Sequence, residues 1–293
     1  MHRPIDPISA EYPARHFRPD AAVPNFLRSR GNLDISFRNR GGRTSIGRSF
    51  QSGCLRMRLP RASGTDEGTC AVILNTAGGL AEGDALDQRI TWDENTAATV
   101  TTQAAEKVYR AVADQSVIST RLEVASGARA EWLPQETILF DGCNLKRDAQ
   151  VILAEDVTFL GVEAIVLGRK SMGETLRRGS LRDRLRIWRN GKLIYADSVE
   201  LDGDIAALMN RASIGDGASA MAVLVHASAQ AAQLLEPVRA ALSSARGTAA
   251  ASTWNGLLAV RMLAPDSHTL RHDIAVALDV LCEGRSLPRV WRC

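Results

Sequence analysis

Residues 45–201 set their apolar side chains in short runs that alternate with polar ones, and Gly, Asn, Asp or Pro closes each run. No other feature limits the fold as strongly. Side chains change face at every residue of a strand, whereas an amphipathic helix repeats near 3.6 residues, so a chain written with period two folds into sheets. Runs of this kind cover 71–74, 89–92, 98–102, 117–124, 130–133, 151–153, 158–167 and 181–188. The clearest hairpin follows the last of them. There the chain passes from Arg189 through Asn190-Gly191 to Lys192 and Tyr195, and Asn-Gly accepts the positive φ angles of a type I′ turn. Leu185 and Ile187 are expected to face a core, with Arg184 and Arg186 outside.

The segments 117–124, 130–133, 151–153 and 158–162 follow one another through short turns, as the rungs of a coil or the strands of a meander do. This spacing suits a β-helix and a sandwich equally. Helical patterning comes only late, over 229–244 and over 267–281, where Leu270, Ile274, Ala277, Leu278 and Leu281 share one face. Asp266 or Ser267 after Pro265 suits the cap of the second helix, and Gly284 its stop. Leu257 to Leu263 read as a strand, so a small strand and helix module is expected to close the chain. Gly41 to Ser49 are expected to form a turn between strands.

The chain has 293 residues, enough to bury a substantial core in one large β-rich domain, expected over 31–293. Residues 1–30 hold five prolines among charged residues and read as a flexible arm. A net charge of +3, from 36 Lys and Arg against 33 Asp and Glu, is too small for a general phosphate-binding surface, so nucleic acid is not an expected partner. Five cysteines, at 54, 70, 143, 282 and 293, are odd in number and widely spaced without a Cys-x-x-Cys, which fits a reducing cytoplasm better than a disulfide or zinc framework. No apolar run suits a signal peptide or a membrane-spanning helix, so no membrane is expected.

Catalytic patterns are missing where they would be needed. The five histidines, at 2, 16, 226, 268 and 272, accompany no Gly-x-Ser-x-Gly elbow, and His268 and His272 share a helix face without the glutamate of a His-Glu-x-x-His site. The glycine-rich stretch from Gly41 to Ser49 lacks the lysine of a phosphate loop.

Several blocks carry a resemblance that runs from about residue 30 to the end. They are the stretch from Asn75 to Asp84 with its Gly78-Gly79 and Gly83-Asp84, the stretch from Thr101 to Arg110 with Lys107-Val108-Tyr109-Arg110, and Trp132-Leu133-Pro134-Gln135-Glu136 followed by Phe140 and Gly142. Leu167-Gly168-Arg169 with Gly173-Glu174-Thr175, and the closing Leu287-Pro288-Arg289-Val290-Trp291, complete them. Together they resemble the UreD family, also called UreD/UreH, of urease accessory proteins. The resemblance implies a mainly β, helix-like coil of strands with two or so α-helices near the C-terminus, and a scaffold without catalysis of its own. It implies nickel insertion into apo-urease, with the accessory protein UreF as direct partner, the GTPase UreG joined through UreF, and the apo-urease subunits.

The resemblance also implies an internal, water-filled channel for nickel. Its candidate residues are Asp84, Glu163 and Asp197, with Glu106, Glu136 and Glu174 beside them. Carboxylates and water hold a borderline divalent ion loosely, as a conduit requires, so transient Ni²⁺ and no tight site or bound cofactor is expected. Asp84 after Gly83 suits an Asx-type turn as well as a channel, and Glu163 inside an apolar run needs a polar cavity or an ion pair beside it. Lys107, Tyr109, Arg110 and Trp291 are candidates for a partner interface, against solvated or packing roles. Two other classes compete: a carboxylate-using hydrolase or lyase on a β-helix, disfavoured by an aromatic content of 5%, and a metal store, which would need a His/Cys cluster.

Overall fold

The computed structural model describes residues 28–60, 68–169 and 173–291; the arm expected over 1–30 therefore falls, up to residue 27, outside the described residues. The chain enters on β1 (Arg30–Arg40) and turns at Gly41-Gly42 into β2 (Arg43–Gly53), followed by β3 (Leu55–Arg58) and β4 (Thr69–Asn75). The turn expected over Gly41 to Ser49 is thus confined to its two glycines, and the rest is strand. Arg43, Thr44 and Ser45 continue the ladder opposite Arg40, Asn39 and Arg38, a pairing that their polar side chains concealed.

From β4 the chain winds through four coils. Each coil gives one strand to either of two facing sheets: β4 then β5 (Ala85–Trp92); β6 (Ala97–Thr102), the short β7 (Glu106–Val108), then β8 (Ser116–Val124); β9 (Arg129–Leu133), the short β10 (Thr137–Leu139), then β11 (Asn144–Leu153); and β12 (Thr158–Leu167) then β13 (Arg178–Arg189). Within each sheet the coil strands pair in parallel, because every connection between neighbours passes through the opposite sheet. The coil closes on antiparallel strands. β14 (Lys192–Asp204) completes a sheet of 7 strands, and after α1 (Ile205–Met209) comes β15 (Ala220–Ala227) in the sheet of 10. There α2 (Leu235–Leu242), β16 (Thr248–Trp254), β17 (Leu257–Ala264) and α3 (Ser267–Leu281) end the fold. The strand expected at 257–263 is therefore an inner strand of the larger sheet, paired on one side with β15 and on the other with β16, which the sequence reading missed.

The two sheets differ in what covers them, and this explains their sequences. The seven-stranded sheet packs one face on the core and leaves the other to solvent, so β8 alternates strictly between buried and partly exposed positions. The larger sheet is covered on its outer face by α2 and α3, through Val238, Leu270, Ile274 and Leu278. Its β12 consequently reads Phe-Leu-Gly-Val-Glu-Ala-Ile-Val-Leu, apolar on both faces except at Glu163. α3 is capped by Asp266, whose carboxylate accepts from the Thr269 backbone at 2.7 Å. The helical stretch expected over 229–244 is a 3-10 turn at Ala231–Leu234 leading into α2.

The Asn190-Gly191 hairpin forms as expected, with φ of 48° and 74°. Ile187 is buried and Leu185 packs against the core, while Arg184 is exposed and Arg186 lies on the outer face, paired with Asp148 at 2.7 Å.

Gly79 marks a close approach between coils. Its φ is 147°, and a Cβ there would meet the Lys107 carbonyl oxygen at 2.8 Å and the Tyr109 ring at 2.5 Å, whereas one at Gly78 would meet nothing within 4 Å. Gly79→Ala is expected to destabilise the chain by about 2 to 3 kcal/mol and Gly78→Ala by about 1 kcal/mol, as measured by urea unfolding. Equal losses would count against the close approach.

Candidate functional site

The larger sheet is interrupted at the same place in two successive coils. β6 stops at Thr102 and β9 at Leu133, whereas β12 runs through without a break. Pro134 has no N–H to give the ladder, and pairing resumes only at β7 and β10, where Glu106 stands opposite Thr137 and Thr137 opposite Ile165. Beyond the breaks the coils lock together again through Leu80, Val108, Leu139 and Leu167, which lie in one register and are all buried. The blocks around Gly78-Gly79, Lys107-Val108-Tyr109, Phe140 and Gly168 are thus one corner of the coil, repeated four times.

Behind the breaks lies a cavity of about 180 Å³ between the sheets. One wall is formed by Thr102, Gln103, Glu106, Pro134 and Gln135, and the other by Leu86, Gln88, Thr120, Arg147 and Ala149. Gln88 Oε1 and Gln135 Nε2 are buried and have no hydrogen-bond partner. Asn75 Nδ2 donates to both carboxylate oxygens of Glu106, at 3.1 and 3.2 Å. Burial nevertheless pushes the Glu106 carboxyl up to about 7.

At the far side of this cavity is a buried ionic cluster. Arg147 of β11 makes a two-pronged contact with Asp183 of β13, Nε to Oδ1 at 2.8 Å and Nη2 to Oδ2 at 2.7 Å. Its Nη1 reaches across to the other sheet, to Glu163 Oε2 at 2.8 Å and Thr137 Oγ1 at 3.1 Å. The Trp132 indole donates to Glu163 Oε1 at 3.0 Å. Burial raises the Glu163 carboxyl above its ordinary range, and Arg147 acts against that rise. With its carboxylates ionised the cluster holds two negative charges against one positive.

A second cavity, of about 490 Å³, begins at the same Glu163 and Asp183. It continues along the stacking direction between β14 and the β15–β17 layer, lined by Asp197, Glu200 and Arg261 and by apolar Met209, Ile214, Met221 and Leu263. Asp197 and Arg261 join the two sheets through a 2.6 Å ion pair.

The structure brings Glu106, Glu163 and Asp197 into this chain of cavities and puts the other acidic candidates elsewhere. Asp84 is buried, with Oδ1 accepting from the Ser29 backbone at 2.6 Å and Oδ2 from Ala81 at 2.8 Å, so its carboxylate fastens a turn to the start of β1. Glu136 pairs with Arg271 at 3.4 Å. Glu174 pairs with Arg169 at 2.5 Å in an open surface hollow beside Tyr109, Arg110 and Phe140. Of the interface candidates, Lys107, Tyr109 and Arg110 are exposed, with Tyr109 edge-on to Phe140 at 5.0 Å. Trp291, by contrast, is 8% exposed and donates to the Leu133 carbonyl at 3.0 Å; it packs in the core under Arg271 and is covered for any partner.

Arg147 and Asp183 were missed by sequence reading, although parity marks them. Arg147 shares a face with Leu145, Ala149 and Val151, and Asp183 with Leu181, Leu185 and Ile187, so both had to point inward. Among the described residues no three His, Cys, Asp or Glu side chains converge as a metal site.

The family model of UreD urease accessory protein matches residues 29–292. Urease accessory protein UreD of Rhizobium rhizogenes is 43% identical over 264 residues, covering 90% of this chain and 95% of that protein. The protein of the same name from Xanthobacter autotrophicus is 42% identical over 288 residues, 98% of this chain and 96% of its own length. Urease accessory protein UreD 3 of Methylorubrum extorquens is 45% identical over 244 residues, 83% and 81% of the two chains.

Two outcomes follow from the site's geometry. Asp84→Ala strands two backbone donors and is expected to lower stability by on the order of 3 kcal/mol, read as a shift in the urea midpoint. For Glu106 the ordinary pKa of 4.5 is raised to about 7 in the folded chain. Between those values the folded state holds a proton that the unfolded state has released, so stability falls as pH rises through the window and the loss is complete above it. Glu106→Gln is expected to remove that slope and to stabilise the protein at pH 8 by on the order of 1 to 3 kcal/mol. Unfolding curves at pH 5 and pH 8 that differ as much in the variant as in the parent would contradict this.

Proposed function

Because the chain belongs to the UreD family of urease accessory proteins, we propose that it serves urease maturation as a nickel-insertion scaffold, conducting Ni²⁺ through its interior to apo-urease. Membership of an accessory family sets aside the hydrolase or lyase alternative: the chain is not an enzyme.

The observation that carries the conduit is that two inter-sheet cavities share the Glu163 side chain in their linings. Their linings offer carboxylate, amide and hydroxyl oxygens and contain neither histidine nor cysteine. Oxygen donors suit weak, fast-exchanging contacts with a borderline cation, and imidazole or thiolate would retain it. Glu106 and Glu163 line the first cavity, and Glu163 and Asp197 the second, so carboxyl oxygens are spaced along the path. A cation that enters one carboxylate's field is drawn toward the next.

Partners follow from the same reading. UreF binds directly, UreG joins through UreF, and apo-urease receives the metal. The GTP site belongs to UreG, in keeping with a glycine-rich stretch here that lacks the phosphate-loop lysine. Exposed Lys107 lines the first cavity beside Gly78 and Gly79, Tyr109 donates to the Gly78 carbonyl, and together with Arg110, which follows them in the chain, they form the docking edge on that side. The work is assigned to the cytoplasm: Cys54, Cys143 and Cys282 are free thiols, as a reducing compartment keeps them. Among the described residues no helix is long and apolar enough to cross a membrane.

Ala149→Phe puts a ring into the first cavity and replaces no charged residue. Urease co-expressed with this variant and the remaining accessory proteins is expected to carry several-fold less nickel than with the parent, while the accessory complex still co-purifies. Full nickel loading with this variant, or with the chain deleted, would overturn the proposal.

A further inference from the structure

We propose that Glu163 and Asp183 form a transit site for a divalent cation, and that the Arg147 guanidinium is its resident counter-ion, displaced as the metal passes. This rests on the conduit reading and adds to it the group that controls passage between the two cavities.

The oxygens themselves set up the competition. Trp132 holds Glu163 Oε1, and Arg147 holds the remaining Glu163 oxygen and both oxygens of Asp183. A metal ion entering the junction therefore meets carboxyl oxygens that the indole and the guanidinium already occupy. Charge permits the exchange: a dication between the two carboxylates, when both are ionised, neutralises the pair as the single guanidinium does not, and it leaves the displaced guanidinium to find another acceptor. The same arrangement prevents retention, because the tethered guanidinium returns to the oxygens once the ion moves on.

A displaced guanidinium needs an acceptor, and one is present. Gln88 is 8% exposed, lines the first cavity with Arg147, and has an Oε1 without a hydrogen-bond partner. Register puts Gln88 beside Thr120 and Thr120 beside Ala149, two residues along the same inward face from Arg147. Thus the unpaired acceptor lies on the side away from Asp183, where a swinging arginine can use it.

The test is nickel titration of the full chain co-purified with UreF, comparing parent, Arg147→Met and Arg147→Lys, with folding checked by circular dichroism. Arg147→Met removes the competing charge from both carboxylates and is expected to bind one nickel about tenfold or more tighter than the parent. The gain should disappear in Arg147→Met/Glu163→Gln. Arg147→Lys keeps the charge but cannot span Glu163 and Asp183 at once, and is expected to fall between parent and Met variant, which keeps the test open if the Met variant does not fold. Folded variants that bind nickel no tighter than the parent would overturn the proposal. If Ala149→Phe still lowers urease nickel in that case, the conduit stands and only the arginine's role is lost. If Ala149→Phe leaves nickel unchanged, the conduit itself fails and the transit role with it.

Discussion

Everything in this fold depends on the parallel hydrogen-bond ladder that stacks each coil on the one before it. A ladder of this kind puts equivalent residues of successive coils side by side, so a feature in one coil must be matched or bridged in the next. The matched breaks after Thr102 and Leu133 show the rule at work. A single break would leave backbone donors and acceptors stranded in a buried sheet, at a cost of several kcal/mol. Two breaks in register, sealed beyond by the ladder from Leu80 to Leu167, create a polar hollow and leave the coil intact.

That hollow accounts for the charge inside. Burying Arg147 between two apolar sheets would be unfavourable without partners, and here three side chains from both sheets receive its donors. Such clusters add little net stability over an apolar core, because desolvation consumes most of the Coulomb gain. Their use lies elsewhere: removing one partner is costly, so the groups are held in a fixed arrangement beside the cavities. Arg261 with Asp197 repeats the arrangement at the second cavity in a more exposed setting, where the same contact is worth less.

How much of this was legible varies with the kind of signal. The coil strands were readable because alternation between a core face and a solvent face writes itself into the seven-stranded sheet, as in 117–124 and 181–188. Strands 30–40 and 43–53 escaped because polar residues line their outer positions, and β16 because its small alanines carry no clear period. Glu163 was found because a charge inside an apolar run is conspicuous, and Glu106 through its motif. Asp84 was ambiguous for a physical reason: a buried carboxylate that caps a turn and one that lines a channel leave the same trace after a glycine. The pairing of Arg147 with Asp183 and Glu163 joins residues distant in the chain, which no local pattern reports.

The linings of the two cavities follow one another along the stacking axis, the first from β3 and β4 to β12 and the second from β12 to the β14–β17 layer. The interior therefore works as a ruler. Its length is counted in whole coils, each adding one strand spacing of about 4.8 Å. Side-chain changes can alter how wide or how charged the hollow is at any level, but only the gain or loss of an entire coil alters how far apart its two ends lie. A chain that keeps the same number of coils keeps the same span between the two ends of the hollow.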